Sequence, residues 1–367
     1  MMAEPSLRVL ALVTDAFGGH GGIAQYNCDF LSALAACEGV RDVIVLPRAS
    51  EKPPGTLPTG VRQLSPVQGR LAYSLAALQA ARAYPAIDVV FCGHLFMAPL
   101  AATISKLLRA PLWVQVHGVD AWDELSSLYR RPVETAALIT SVSRYTRRRL
   151  LEWVGIDPIR VKVLPNTVDP RFQPGPKPGY LLERYATGEG KVLMTVSRLA
   201  SSDRYKGHDR VIAALPRVLL DHPETIYIIV GDGDDRPRLE ALTVKYGVAE
   251  KVRFAGRIAP EELPDHFRLA DVLVMPSIGE GFGIVFLEAM ATGISVIGGN
   301  QDGSLDPLAD GVLGQAIDPD NSEELVSAIC AGLSSAPADF TRASRFKVQA
   351  FTEHLQALVW SNFIVCH

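Results

Sequence analysis

Apolar residues in this chain come in short unbroken runs rather than in alternation. In the first half the runs are RVLALVTD (8–15), DVIVLPR (42–48), DVVFCGH (88–94), PLWVQVHG (111–118), LITSVS (138–143) and VKVLPN (161–166). In the second they are KVLMTVSR (191–198), TIYIIVGDG (225–233), KVRFAG (251–256), DVLVMPS (271–277) and ISVIGG (294–299). A strand covered on both faces is apolar throughout. Helix-length stretches separate the runs, so the pattern predicts parallel strands joined by right-handed crossovers, in an α/β fold of two doubly wound domains. The segment between Asp169 and Lys191 holds four Pro and four Gly and little apolar periodicity. It reads as a linker over 171–190, between domains at 1–170 and 191–344. The tail from 339 to 364 reads as a helix with Phe346, Ala350, His354, Ala357 and Leu358 on one face.

A length of 367 residues agrees with two domains. With 48% apolar and 21% charged residues the chain can bury a core, which excludes disorder and coiled coil. No apolar run reaches the roughly 18 residues of a membrane span. The start, MMAEPSLRVLAL, does not read as a secretory signal. Cys28, Cys37, Cys92, Cys330 and Cys366 are scattered, without C-x-x-C spacing, as expected of free thiols in a cytoplasmic protein. The net charge of −4 argues against nucleic acid as a partner. Residues 1–170 carry 17 Lys and Arg against 14 Asp and Glu, so that half is the one to meet an anionic partner.

Ligands of open parallel sheets bind at the carboxyl ends of the strands, and the chemistry-bearing residues cluster there. After the first run comes FGGHGGIAQY (17–26), where glycines such as Gly21 and Gly22 let main-chain amides approach an anion at a helix start. The stretch Gly19-x-Gly21-x-x-Ala24 also matches a dinucleotide fingerprint, but the second run ends in Leu-Pro-Arg, without the acidic residue that would hold a ribose. A plain tight turn is the third reading. His117 ends the run PLWVQVHG; it would donate to a sugar hydroxyl or to developing charge, or be packed under a loop. Asp120 would assist it or cap a helix beginning near Trp122. The stretch 144–153, with Arg144, Arg147, Arg148 and Arg149 beside Leu150, Leu151 and Trp153, is either a solvated basic face or a peripheral membrane contact.

In the second half, Arg198 and Lys206 lie in a strand-end loop, where two cations would hold a diphosphate or form surface ion pairs. Asp232 and Asp234 resemble a metal-binding pair, yet no third ligand stands at a plausible spacing, and Asp234 reads more simply as a helix N-cap. Asp318 and Asp320 read the same way. The most informative stretch is PSIGEGFGIVFLEAMATG (276–293). Gly281 and Gly283 free the backbone at a helix start, and the amides of Phe282, Gly283 and Ile284 would face phosphate oxygens. Glu280 stands before that helix and Glu288 about 7.5 Å along it. Such carboxylates can grip vicinal hydroxyls at the two ends of a nucleotide sugar.

Taken together, the early glycines, His117-Gly118, Asn166-x-x-Asp169, Arg198 with Lys206-Gly207, Gly231-Asp-Gly233 and the Glu280/Glu288 pair resemble the retaining glycosyltransferases of family four, group 1, over nearly the whole chain. The resemblance implies the GT-B fold: two Rossmann-like domains facing across a cleft, with a C-terminal helix, about 345–367, crossing back to an acceptor-binding N-terminal domain. The 191–344 domain would hold a GDP- or UDP-sugar. Arg198 and Lys206 would neutralise its diphosphate, Glu280 would bind the sugar hydroxyls, Glu288 the ribose, and His117 the sugar near the reacting carbon. Gly21 and Gly22 would lie near donor phosphate and acceptor. Ser197 departs from the Gly that often precedes Arg-Leu in the family. The implied reaction is hexosyl transfer, mannosyl slightly favoured, with retained configuration and no metal or other cofactor. The implied acceptor is a saccharide or polyprenyl-diphosphate-linked oligosaccharide, used in exopolysaccharide or lipopolysaccharide assembly at the cytoplasmic membrane face. The competing readings are a nicotinamide-dependent oxidoreductase and a non-catalytic sugar-nucleotide-binding subunit.

Overall fold

A computed structural model describes residues 6–335 and 346–364, and the chain divides into two compact units. The first unit spans residues up to Thr167 and takes back the tail from Val348. Its elements are β1 (Leu7–Val13), α1 (Gly22–Ala36), β2 (Val40–Pro47), β3 (Val61–Gln63), α2 (Arg70–Ala83), β4 (Val89–Cys92), α3 (Ala98–Leu108), β5 (Leu112–Val116), α4 (Ser127–Glu134), β6 (Leu138–Ser141), α5 (Arg144–Leu151) and β7 (Val161–Val163). All seven strands are parallel, in the order β3-β2-β1-β4-β5-β6-β7. Strands β1, β4, β5 and β6 are buried almost end to end, as their unbroken apolar runs require. Every crossover of this sheet except β2–β3 carries a helix, and Leu10, Val90, Val114 and Ile139 share one core with α3 side chains such as Ala101 and Ile104.

The second unit, Val168–Lys347, contains α6 (Gly179–Tyr185), β8 (Val192–Val196), α7 (His208–Asp221), β9 (Ile226–Val230), α8 (Arg236–Lys245), β10 (Val252–Gly256), α9 (Leu263–Leu269), β11 (Val272–Met275), α10 (Ile284–Ala291), β12 (Ser295–Gly299), β13 (Gln315–Ile317) and α11 (Ser322–Ser334). Its six parallel strands run β10-β9-β8-β11-β12-β13. The order reverses between β8 and β11, and the corresponding point in the first unit lies between β1 and β4. These crevices are where doubly wound sheets place ligands.

Several expectations are revised. The Pro- and Gly-rich stretch is not all linker: Leu181 and Tyr185 bury one face of α6, and the Tyr185 hydroxyl lies 2.9 Å from His266 of α9. The tail helix is α12 (Val348–Val359), but its buried face is Phe351, Leu355, Leu358 and Val359. His354 and Ala357 are exposed, so the apolar stripe is rotated by one residue from the expected one. Phe351 meets the Tyr26 ring edge-on at 6.4 Å, and Gln356 exchanges two hydrogen bonds with the Glu38 main chain. Residues 336–345 and 365–367, at the expected domain end and helix boundaries, lie outside the described residues. Cys28, Cys37, Cys92 and Cys330 are free thiols, and Cys366 is outside the described residues. No helix among the described residues is long and apolar enough to cross a membrane.

Candidate functional site

The second unit's switch point is built from the loops that leave β8 and β11. The β8 loop carries Arg198, passes through a 3-10 turn at Ser201–Lys206 and reaches α7 at Gly207. Two aspartates brace it. Asp234 accepts hydrogen bonds from the Ser201 amide at 2.9 Å and the Ser201 hydroxyl at 2.6 Å. Asp235 accepts from Arg204 at 3.0 Å and from Arg238 at 2.6 Å. Asp234 therefore does not cap α8, as the sequence suggested; it holds the facing loop, and the Ser201 bonds lower its carboxyl pKa. Gly207 has φ +83°, and a Cβ there would stand 2.5 Å from the Pro276 carbonyl oxygen. Only glycine serves where a positive φ and a close backbone approach coincide.

The β11 loop is tied to the β8 loop through the Ile278 amide, which donates to the Tyr205 carbonyl at 3.0 Å. Gly279 also packs on the Tyr205 ring. The contact brings the Lys206 ammonium onto a carboxylate oxygen of Glu280. Burial works against the Lys206 charge, but Glu280, the Tyr205 phenol and Asp203 outweigh it and raise its pKa. Arg198, mostly exposed, ion-pairs with the buried Asp203 at 2.9 Å, outside hydrogen-bonding angle. Burial raises the Tyr205 pKa, and the charges of Lys206, Glu280, Asp203 and Arg198 all act on that phenol. The structure thus gathers three of the four predicted donor residues around one tyrosine. The fourth, Glu288, is half-buried on α10.

Gly283 has φ +89° and precedes α10, with the Phe286 ring filling the space its side chain would need. Phe282 is buried and meets Phe346 edge-on at 5.9 Å, so only its main chain is offered to a ligand. Gly281 is half-buried, and Ile284 opens the helix. These residues place first-turn amides beside Glu280, the arrangement that favours phosphate.

In the first unit, Gly21, with φ +89°, precedes α1, which opens at Gly22. The preceding loop is pinned by β3: Gln63 accepts from the Phe17 amide at 3.2 Å and donates to the Phe17 carbonyl at 2.7 Å. His117 leaves β5 half-buried, its ring edge-on to Tyr26 at 5.1 Å. Its Nε2 lies 2.9 Å from the Gly93 carbonyl. A carbonyl only accepts, so the proton sits on Nε2 and Nδ1 is an acceptor. Burial, helped by His94, depresses the His117 pKa to about 3. The expectation that His117 donates to a ligand is corrected: the neutral ring offers Nδ1 as an acceptor for a hydroxyl. Asp120 caps no helix near Trp122 but accepts from the Gly118 amide at 2.7 Å and the His117 amide at 3.2 Å. Burial pushes its carboxyl up to about 7.

The Arg-rich stretch is α5, and its charges are partly committed to the fold. Arg147 donates to the Val161 and Pro158 carbonyls at 2.8 and 2.9 Å, and Arg149 to the Trp122 carbonyl at 3.0 Å. Among the described residues, no group of three His, Cys, Asp or Glu side chains is arranged to hold a metal ion.

The fold, with glycines opening the helices that follow the switch-point strands of both sheets, is that of the GT-B class. Along 97% of this chain and 100% of the other, it superimposes with a TM-score of 0.79 on Anabaena Alr3699/HepE in complex with UDP-glucose, at 20% identity. The family model described as glycosyl transferases group 1 matches residues 184–345, and that described as glycosyltransferase family 4 matches residues 20–172. The chain belongs to glycosyltransferase family 4, group 1. It is 36% identical over 258 residues to a GDP-mannose-dependent alpha-(1-6)-phosphatidylinositol monomannoside mannosyltransferase of Mycolicibacterium smegmatis, covering 66% of each chain, just under two thirds of that relative's length. A D-inositol 3-phosphate glycosyltransferase of Geodermatophilus obscurus is 33% identical over 197 residues, 51% of this chain and 43% of that one.

Asp203, Tyr205 and Asp302 were not found from sequence. The first two lay in a loop read only for its cations. Asp302, in the loop after β12, belongs to no recognisable spacing, and only the structure shows its carboxylate accepting from the Glu280 amide at 2.6 Å.

Proposed function

We propose that the chain is a retaining glycosyltransferase that moves a hexosyl unit, with mannosyl favoured, from a nucleotide-diphosphate sugar to a saccharide or lipid-linked acceptor. The observation that carries this is the joining of Lys206 and Glu280 at the switch point of the second sheet, beside the first turn of α10. In this reading the donor diphosphate takes the place of the carboxylates now paired with the two cations. Lys206 and Arg198 neutralise the charge that builds on the leaving phosphate. Amides of residues 281–284 bind the phosphate oxygens, the Glu280 carboxylate turns to the sugar hydroxyls, and Glu288 holds the ribose. Gly21 and Gly22 present first-turn amides, and His117 Nδ1 accepts a hydrogen bond from a hydroxyl. With His117 depressed to about 3, it is a weak base. The acceptor's proton passes instead to the departing phosphate as the new glycosidic bond forms on the same face. The cations do the electrostatic work without a metal.

The mannosyl preference draws on the GDP-mannose dependence named for the M. smegmatis relative, and an inositol-phosphate or inositol-lipid acceptor on the names of both relatives. UDP-glucose is the rival donor, from the complex of the structural neighbour. A donor panel of GDP-mannose, UDP-glucose and UDP-N-acetylglucosamine tests the reading. Released nucleoside diphosphate is measured with inositol phosphate, phosphatidylinositol or lipid extract as acceptor, with EDTA present and absent. Turnover on one donor, with retained anomeric configuration by NMR and persistence in EDTA, is expected. The reading fails if no donor is turned over, if the product is inverted, or if EDTA abolishes transfer.

A further inference from the structure

Asp302 is fully buried in the loop after β12, the strand next to β11, and has no part in the reading above. One of its oxygens, Oδ2, accepts from the Glu280 amide at 2.6 Å and from the Ser277 hydroxyl at 2.7 Å. The other, Oδ1, accepts from the Ser304 amide at 2.9 Å. The next residue completes a clamp, since the Gly303 amide donates to the Glu280 carbonyl at 2.8 Å. Two consecutive residues of one loop thus hold both main-chain groups of Glu280 in another. A Cβ at Gly303 would press on the main chain of Gly281 and Glu280, so an added side chain forces the clamp apart.

The chemistry of residue 302 is specific. Donors approach both carboxylate oxygens, and only an acceptor-only group satisfies them all. Asparagine would aim an NH2 at one of those N–H groups. All of these donors are neutral, so the fold buries a carboxylate beside neutral donors. That is costly where stability alone is served. Burial raises the Asp302 pKa, and the bonds from Ser277, Glu280 and Ser304 oppose the rise. What the carboxylate secures is the Glu280 peptide, and through the Glu280 side chain the Lys206 ammonium.

We infer that Asp302 is a positioning residue for the donor sugar, fixing the Glu280 main chain so that the Glu280 carboxylate stands at the sugar hydroxyls. The inference rests on the reading of Glu280 given under Proposed function. The test is calorimetric titration of the full chain with GDP-mannose and GDP, and with UDP-glucose and UDP, for parent, Asp302→Asn, Gly303→Ala, Glu280→Gln and the Asp302→Asn/Glu280→Gln pair. Both clamp variants should lose at least tenfold in affinity for the nucleotide sugar that the parent binds, and less than threefold for its bare nucleoside diphosphate. In the Glu280→Gln background the Asp302 change should cost little more, because it acts through Glu280. A merely structural role would weaken sugar and diphosphate ligands alike and add to the Glu280 loss. Gly303→Ala presses the clamp from the carbonyl side and keeps the test alive if the Asn variant does not fold. A folded clamp variant that binds the nucleotide sugar like the parent, equal losses on both ligands, or additive losses in the pair overturns the inference. A parent that binds no nucleotide sugar removes the Glu280 reading itself.

Discussion

Lys206→Met should cost stability in a way that a second substitution repairs, without repairing activity. The Lys206 and Glu280 side chains are 15% and 11% exposed and paired with each other. Replacing the lysine by an apolar side chain of similar length keeps the packing and leaves the Glu280 carboxylate without its cation. Breaking a buried pair from one side costs about 3–5 kcal/mol, most of it the uncompensated charge. For a unit of this size that is roughly a 6–20 °C drop in the apparent midpoint. Lys206→Met/Glu280→Gln removes the stranded charge, and replacing both members of a buried pair is often close to neutral. The double variant should therefore recover at least half of the loss. Differential scanning calorimetry and urea denaturation read the stability; nucleotide-sugar titration and turnover read the function. Stability should return in the double variant while donor binding stays at least tenfold below the parent. A single variant as stable as the parent, or a double variant no better than the single, would refute the claim that the two groups are a buried pair. A double variant with parental donor affinity would refute their proposed role.

Three further outcomes follow from the geometry. Gly207→Ala places a side chain at φ +83° and against the Pro276 carbonyl; the backbone strain alone is on the order of 1–2 kcal/mol, and thermal melts should fall together with donor affinity as the β8 and β11 loops separate. Arg147→Ala removes the donors to the Val161 and Pro158 carbonyls; it should lower stability by about 1–3 kcal/mol while leaving unchanged any flotation with anionic vesicles that the parent shows. Burial depresses His94 and His208 to about 4 and His117 to about 3 from 6.5, so below pH 6.5 the unfolded chain binds more protons and stability falls as pH drops through that window. Asp120, raised from 3.8 to about 7 by burial, runs the other way: its contribution is complete below pH 3.8 and is lost as pH rises through 7. Denaturant midpoints from pH 7 to 4.5 should fall, and His117→Gln should flatten the slope; a parent curve flat across this range would contradict the burial of these rings.

Both sheets were legible because their strands are apolar on both faces, a pattern that parallel crossovers impose. The two strands that escaped, β3 and β13, are three-residue edges, Val-Arg-Gln and Gln-Ala-Ile. Each pairs on one side only and needs no apolar run. The residues proposed for the donor site were legible where a glycine and a charge share a strand-end loop, as at Lys206-Gly207 and Glu280-Gly281. What could not be read was which loop each side chain serves. Asp234 looks like a helix cap by spacing and braces Ser201 in the neighbouring β8 loop instead. His117 looks like a donor until the Gly93 carbonyl fixes its tautomer. Asp302 is 22 residues from Glu280 and bonds its main chain, so no pattern of side-chain types records it. The tail helix was expected one residue out of phase because Ala and His were counted toward its apolar face, whereas Phe351 and Leu355 carry the packing.

The most direct measurement of the central claim is calorimetric titration of the full chain with GDP-mannose and UDP-glucose, repeated with Lys206→Ala and with NADPH as a comparison ligand. The account predicts one saturable site for one of the two nucleotide sugars, weakened at least tenfold by the lysine change, and no binding of NADPH. Absence of binding by either nucleotide sugar, or an affinity indifferent to Lys206, would contradict it.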